Sequence, residues 1–306
     1  MTVALITHAE CQLHDMGPHH PESPARLQAI HDQLVASGLE WIMPHFDAPE
    51  ATHEQLLRVH SELYIRSIFE ASPAEGHVHL DIDNVMNPHT LKAALHAAGA
   101  AVLGVDLVMR DEVEDVFCAV RPPGHHAERD RAMGFCFFNN VAVAAAHALE
   151  AHGLQRVAIV DFDVHHGNGT EHIFSDDQRV LFCSTFQHPF YPYSGSDSSN
   201  HHIINAPLAA GSDGSIFREA VEQYWLPALQ DFKPQLILCS AGFDAHYEDD
   251  MASLRLNETD YQWVTSKIKA VAKQYAEGRV VSTLEGGYAL SALGRSVVAH
   301  IKALLD

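Results

Sequence analysis

Basic residues are scarce in this 306-residue chain: 19 lysines and arginines stand against 40 acidic residues, a formal charge of -21. That balance argues against a polyanionic nucleic acid as a direct partner and mildly favours cationic ligands. Cysteine is scarce as well. The five cysteines (11, 118, 136, 183 and 239) are odd in number, form no C-x-x-C and sit mostly inside apolar runs. This excludes a disulfide framework and fits reduced, buried thiols in a cytoplasmic protein. The start, MTVALITHAE, lacks a basic segment and has only a short apolar run before His8, so it reads as a first strand rather than a signal peptide. No run approaches the ~18 apolar residues of a membrane span. Repeats, low-complexity tracts and a dividing linker are absent too, so one domain over residues 1–306 is expected, with no membrane partner.

Hydrophobic residues make up 47% of the chain, enough for a large core. They gather in short continuous runs: VALIT (3–7), VFCAV (116–120), VAIVDFD (157–163), VLFCST (180–185), LILCSAG (236–242) and VVSTLEGG (280–287). Continuous rather than alternating apolarity suits strands covered on both faces, as in a parallel sheet. Helical stretches lie between them, at 24–37, 54–70, 89–109, 139–152, 213–231, 257–276 and 290–305. The alternation predicts a single α/β domain. His, Asp, Gly and Tyr concentrate in the segments after the strands, where open α/β sheets bind ligands.

Histidine is the residue in excess. Its 24 copies would form about two adjacent pairs by chance, and the chain has four, at 19/20, 125/126, 165/166 and 201/202. A doublet therefore means something only through its surroundings. VAIVDFDVHHGNGTEH sets Asp161, Asp163 and His165 at steps of two beyond an apolar run, and extended backbone would point all three the same way. Buried unpaired they would be costly, and a cation is the natural compensation. A further ligand is expected from another strand end, where Asp244 in LILCSAGFDAHYEDD qualifies, with Asp249 and Asp250 as competitors on a more solvated loop. An Asp, His, Asp set leaves a position open for water, as in catalytic zinc sites, although iron(II), cobalt or manganese would also be accepted. His125 and His126, behind Pro122, Pro123 and Gly124, could then carry protons, with Asp161 and Asn168 as the partners that set the two rings apart. Tyr288 follows two glycines at another strand end and could donate to a carbonyl oxygen as it gains charge.

Taken together, RPPGHHA, GFCFFNN, VDFDVHHGNGTE, SAGFDAH and EGGY resemble, in order and spacing, the zinc-dependent histone deacetylase family, whose relatives include bacterial deacetylase-like amidohydrolases and acetylpolyamine amidohydrolases. HPESPARL (20–27) fits the same pattern, and Asn168 in place of Asp points to the class II and bacterial branch. The resemblance implies the arginase/deacetylase fold, a parallel sheet of about eight strands between helices. It implies a Zn2+ held by Asp163, His165 and Asp244, with His126 as general base and acid, His125 beside it, and Tyr288 polarising the carbonyl. It also implies K+ or Na+ at two sites. One uses Asp161, main-chain oxygens of Asp163 and His165, and Ser184; the other uses carbonyls around Phe174, Asp177 and Val180. A substrate tunnel is implied at Gly134, Phe135, Tyr191 and Gly287. Tyr191 stands where Phe is usual, and Tyr193 where Gly is commoner.

The expected activity is metal-dependent hydrolysis of an N-acyl amine, an acetyl group on lysine being the foremost substrate and an acetylpolyamine the alternative. A two-manganese ureohydrolase would need a second carboxylate pair that the sequence does not offer, and a non-catalytic acyl-lysine binder would not need every chemical position filled. Nothing in these motifs fixes an oligomeric state.

Overall fold

The structure, a computed structural model, describes residues 2–197 and 200–306. Ten strands occur among them: β1 (Val3–Thr7), β2 (His45–Asp47), β3 (Val78–His79), β4 (Val85–Met86), β5 (Asp115–Cys118), β6 (Val157–Asp161), β7 (Val180–Gln187), β8 (Ile203–Leu208), β9 (Leu236–Ala241) and β10 (Val280–Leu284). β3 and β4 form a small antiparallel hairpin; the other eight form one sheet in the order β2-β1-β5-β10-β9-β6-β7-β8. All its pairings are parallel. This is a single-domain α/β architecture with helices on both faces of a parallel sheet, as the alternation of runs implied.

The six apolar runs are the six inner strands. β2 and β8 are the edges, and each pairs on one side only. Neither carries a continuous apolar run: β2 reads HFD, with both polar residues exposed, and β8 reads IINAPL, with Pro207 on an edge where a missing N–H costs no ladder bond. The strand expected at 157–163 stops at Asp161. Beyond it, Asp163 N–H donates to Asp161 Oδ1 and His165 N–H to Asp163 Oδ1, at 3.1 and 2.9 Å, successive Asx turns that bend the chain out of extended geometry.

The helix expected over 54–70 is two helices, His53–Leu57 and Glu62–Ala71. Thr52 and Gln55 form a capping box on the first, and the Ser61 hydroxyl accepts from Tyr64 N–H at the start of the second. Helix Thr90–Met109 is long and apolar enough to cross a membrane by length and composition, contrary to the reading of the bare sequence. However, 78% of its apolar window is buried inside the fold, where its small residues let it pack tightly. Gly99 shows how tightly, since a Cβ there would strike the Pro49 carbonyl.

Two buried ion-pair clusters brace the sheet at opposite ends. At the amino ends of β5 and β10, Lys269 pairs with Asp115 and donates to Gly278 O at 2.7 Å. At the carboxyl ends, the fully buried Glu22 accepts from Arg121 Nη2 at 2.6 Å and Arg26 Nη1 at 3.1 Å. Removing one member of a buried pair leaves the other charge uncompensated. Lys269→Met should therefore lower the unfolding free energy by about 3–5 kcal/mol, measured by denaturant titration, with little effect on chemistry at the far edge.

Candidate active site

At the carboxyl edge of the sheet a narrow cavity of about 190 Å³ runs inward between Phe135, Phe190, Tyr191 and Met251, with His125, His126, His165 and Tyr288 also on its walls. Adjacent central strands β6 and β9 deliver its acidic base. Asp163 and His165 come from the turn after β6, Asp244 from the segment after β9, and their ligand-type atoms all lie within 4.8 Å of one another. His165 Nδ1 is 3.1 Å from Asp163 Oδ1 and 3.2 Å from Asp244 Oδ2. Gly286 N–H donates to Asp163 Oδ2 at 2.8 Å, and Val164 N–H to Asp244 Oδ1 at 2.9 Å. Asp244 Oδ2, buried, has no hydrogen bond among the described residues.

The electrostatics of this triad call for positive charge. Burial raises the Asp244 carboxyl, with the neighbouring Asp163 charge adding to it, to about 6. Burial would do the same to Asp163, but His125 and His165 outweigh it and hold that carboxyl below its usual range. Burial by itself would lower His165, yet Asp163 and Asp244 raise it to about 9. Two dry carboxylates thus draw a proton onto His165. A metal ion with oxygen and nitrogen preferences would satisfy the same demand, including the orphaned Asp244 oxygen, so the residues fit such an ion. Glycine is required around them: a Cβ on Gly242 or Gly286 would collide with the Asp163 or Asp244 carboxylate.

The two adjacent imidazoles occupy opposite electrostatic states. His125 Nδ1 donates to Asp161 Oδ2 at 2.9 Å. Burial disfavours its charge, but the Asp161 and Asp163 carboxylates prevail and raise it to about 10. Asp161 thus points at His125 and takes no place in the triad, unlike the common direction expected from its spacing. His126 lies well below its ordinary value, first through burial and then through the positive rings of His125 and His165. Its Nδ1 is 2.8 Å from Asn168 Oδ1, and Asn168 Nδ2 donates to Glu128 Oε1 at 2.8 Å. Glu128 therefore fixes which way the Asn168 amide faces. The carbonyl oxygen it presents can only accept, so His126 carries its proton on Nδ1 and keeps a lone pair on Nε2.

Tyr288 is held at several atoms. Asp249 Oδ2 accepts from its N–H at 2.6 Å and from Ala289 N–H at 2.9 Å. The Arg26 guanidinium lies 5.0 Å from the centre of its ring, and Arg26 Nε donates to Gly287 O at 2.7 Å. Asp249, weighed above as a metal ligand, is thus the anchor of the phenol's backbone, while Asp250 is exposed.

A model of the histone deacetylase domain matches residues 20–304. The chain belongs to the histone deacetylase family. It is 42% identical to an uncharacterised protein of Synechocystis over 99% of both chains. It is 36% identical to a histone deacetylase-like amidohydrolase of Pseudomonas aeruginosa, covering 91% of this chain and 79% of that one. With the mouse polyamine deacetylase HDAC10 it shares 37% identity over 93% of its own length but 45% of the relative's. The crystal structure of the HDA15 HD domain superposes with a TM-score of 0.94 at 33% identity, covering 99% of this chain and 89% of that one.

Within this histone deacetylase fold, Gly134, Phe135 and Tyr191 line the cavity. Gly287 does not: Gly286 takes that place, and Gly287 turns its carbonyl to Arg26. Gly134 and Phe135 are both left-handed, at φ 55° and 69°, which turns the Phe135 ring into the tunnel. Tyr193, at φ 61° and 76% exposed, adopts the conformation that makes glycine the commoner residue at its position. Phe190 stacks on His165 with ring centres 5.6 Å apart, and Tyr191 meets His126 edge-on at 5.3 Å.

For the expected cation positions, Ser184 pairs in register with Asp161, and its Oγ is 3.2 Å from His166 Nδ1. Phe174 O already lies 3.0 Å from His202 Nε2 and accepts from Asp177 N–H at 3.1 Å. A further cluster, Asp106, His147 and His152, lies away from the tunnel. There Arg58 donates to His147 Nδ1 at 3.0 Å, so His147 Nε2 carries the proton that it gives to Asp106 at 2.8 Å, and the cluster clamps two helices.

Gly134 touches the base of the site: a Cβ there would enter the His126 ring. Gly134→Ala should displace the His126 ring and strain a left-handed backbone, and so lower the thermal midpoint measured by calorimetry.

Proposed function

We propose that this chain is a zinc-dependent amidohydrolase that removes short acyl groups, acetyl foremost, from N-acyl amines such as acetyl-lysine side chains. The observation that carries this reading is the convergence of Asp163, His165 and Asp244 at the foot of a narrow tunnel whose walls present His126 and Tyr288. Zinc held by those three residues would supply Lewis acidity to the attacking water and to the substrate carbonyl.

The chain's own residues do the rest. His126, neutral and with its lone pair on Nε2, accepts the proton of the water and returns it to the nitrogen of the departing amine. Tyr288 donates its phenol hydrogen to the carbonyl oxygen as charge grows there, from a ring and backbone already fixed by Arg26 and Asp249. Phe135, Phe190, Tyr191 and Met251 sheath an aliphatic stem and exclude water. Water adds across the amide, giving a carboxylate and an ammonium group. K+ or Na+ would sit at Asp161, Ser184 and the Asp163 and His165 carbonyls, with a second ion near Phe174, Asp177 and Val180. The five cysteines, all buried and unpaired, support a reducing, cytoplasmic setting.

Acetylpolyamine hydrolysis is a second reading. It is favoured by the carboxylate of Asp83 on the tunnel lining and by the similarity to a polyamine deacetylase. Side-by-side turnover of an acetyl-lysine peptide and acetylspermidine decides between them, and a large preference for the polyamine would displace the peptide reading.

Asp163→Ala and Asp244→Ala should each lose bound zinc and hydrolysis together; a metal-free variant that still releases acetate would end the proposal. His126→Ala should keep its zinc yet turn over about 10²–10⁴-fold more slowly. Asn168→Asp should place a carboxylate beside His126 and raise its pKa. The base is then protonated at higher pH, so the acidic limb of the rate profile should move up the pH scale.

A further inference from the structure

Glu285 follows β10 directly and precedes Gly286, Gly287 and Tyr288. Its side chain is fully buried. Most other buried carboxylates among the described residues have a cationic partner: Glu22 has Arg26 and Arg121, Asp115 has Lys269, Asp260 has Arg218, and Asp161 has the His125 ring, whereas Asp249, like Glu285, accepts from neutral donors. The oxygens of Glu285 accept only from neutral donors. Oε2 takes Gly124 N–H at 2.7 Å and His125 N–H at 3.1 Å, and Oε1 takes the Ser240 hydroxyl at 3.2 Å. Burying a carboxylate without a counter-ion is unfavourable. Burial accordingly raises its carboxyl to about 7.

What the position gains is a junction. The two amides that Glu285 holds belong to the segment carrying His125 and His126. Its own backbone is pinned on both sides: Glu285 N–H donates to Ala241 O at 3.0 Å, and Arg26 Nη2 donates to Glu285 O. The next residues carry the Gly286 amide that binds Asp163 and then Tyr288. The Glu285 side chain thus ties the histidine segment, which follows β5, directly to the phenol segment, which follows β10, alongside the longer Arg121–Glu22–Arg26 link.

We infer that Glu285 is a positioning residue that sets the separation between the His126 imidazole and the Tyr288 phenol by clamping the Gly124–His125 amides to the end of β10. This rests on the amidohydrolase reading above. It requires acceptor geometry, not charge. In Glu285→Gln the carboxamide oxygen can take both amides and its NH2 can donate to Ser240 Oγ, so every contact survives. In Glu285→Leu none does, and in Glu285→Asp the charge survives but the reach is one methylene short.

The test is steady-state kinetics on an acetyl-lysine peptide with the zinc-loaded protein, normalised to active sites counted by titration with a zinc-chelating hydroxamate. Glu285→Leu and Glu285→Asp should each lower kcat about 10²-fold with KM within about twofold and one zinc per chain, whereas Glu285→Gln should stay within about threefold of the unmodified protein. Three results would overturn the inference: a Leu or Asp variant with unmodified kcat, a Gln variant as slow as the Asp variant, or losses explained wholly by missing zinc or missing active sites. If Glu285→Leu yields no folded protein, the Asp and Gln pair decides alone. Unmodified protein that hydrolyses no acyl amine would instead defeat the underlying reading.

Discussion

Two carboxylates shut away from water, Asp163 and Asp244, impose the constraint that the carboxyl edge of this sheet is built to meet. They sit side by side because β6 and β9 are neighbours and run the same way. Glycine at 242 and 286 lets the backbones close around them. Neither could stay ionised there without positive charge nearby, and His165 sets one proton between the two acids while the His125 ring lies 3.8 Å from Asp163 Oδ1. A metal ion held there would resolve the imbalance, and would bring the polarising power that the proposed amide hydrolysis requires.

The same principle separates the two tandem imidazoles. Adjacent in sequence and alike in chemistry, His125 and His126 diverge because one faces two carboxylates and the other an amide oxygen. The charged ring then helps to keep its neighbour neutral. Environment, not residue type, sets the charge of each ring.

Much of this was legible before any coordinates, and what was missed follows a pattern. Inner strands of a parallel sheet announce themselves through unbroken apolarity, so the six runs were found; β2 and β8 are half-solvated edges whose HFD and IINAPL look like loop. Asp163 and His165 were readable because they lie two apart just past a strand end, and Asp244 because it follows another strand, although the same spacing also drew in Asp161, which turns to His125. The supports were not. Glu128 reaches Asn168 across 40 positions, and Arg26 reaches Gly287 across 261; no local pattern encodes such partners. Asp249 reads in sequence as a loop acid competing for metal because its bonds to the Tyr288 and Ala289 amides, about 40 positions away, are invisible there. Gly286 and Gly287 differ only in which way each turns, a distinction set by the Arg26 contact.

The parallel sheet has one more consequence. Residue Thr2 accepts from Glu114 and Asp115 at the amino end of β5, and the carbonyl of Asp306 accepts from Lys273 shortly before β10 begins. Both extremities of the described chain therefore emerge on the rim opposite the tunnel mouth. An affinity tag or surface tether joined at either extremity would thus leave the tunnel entrance clear.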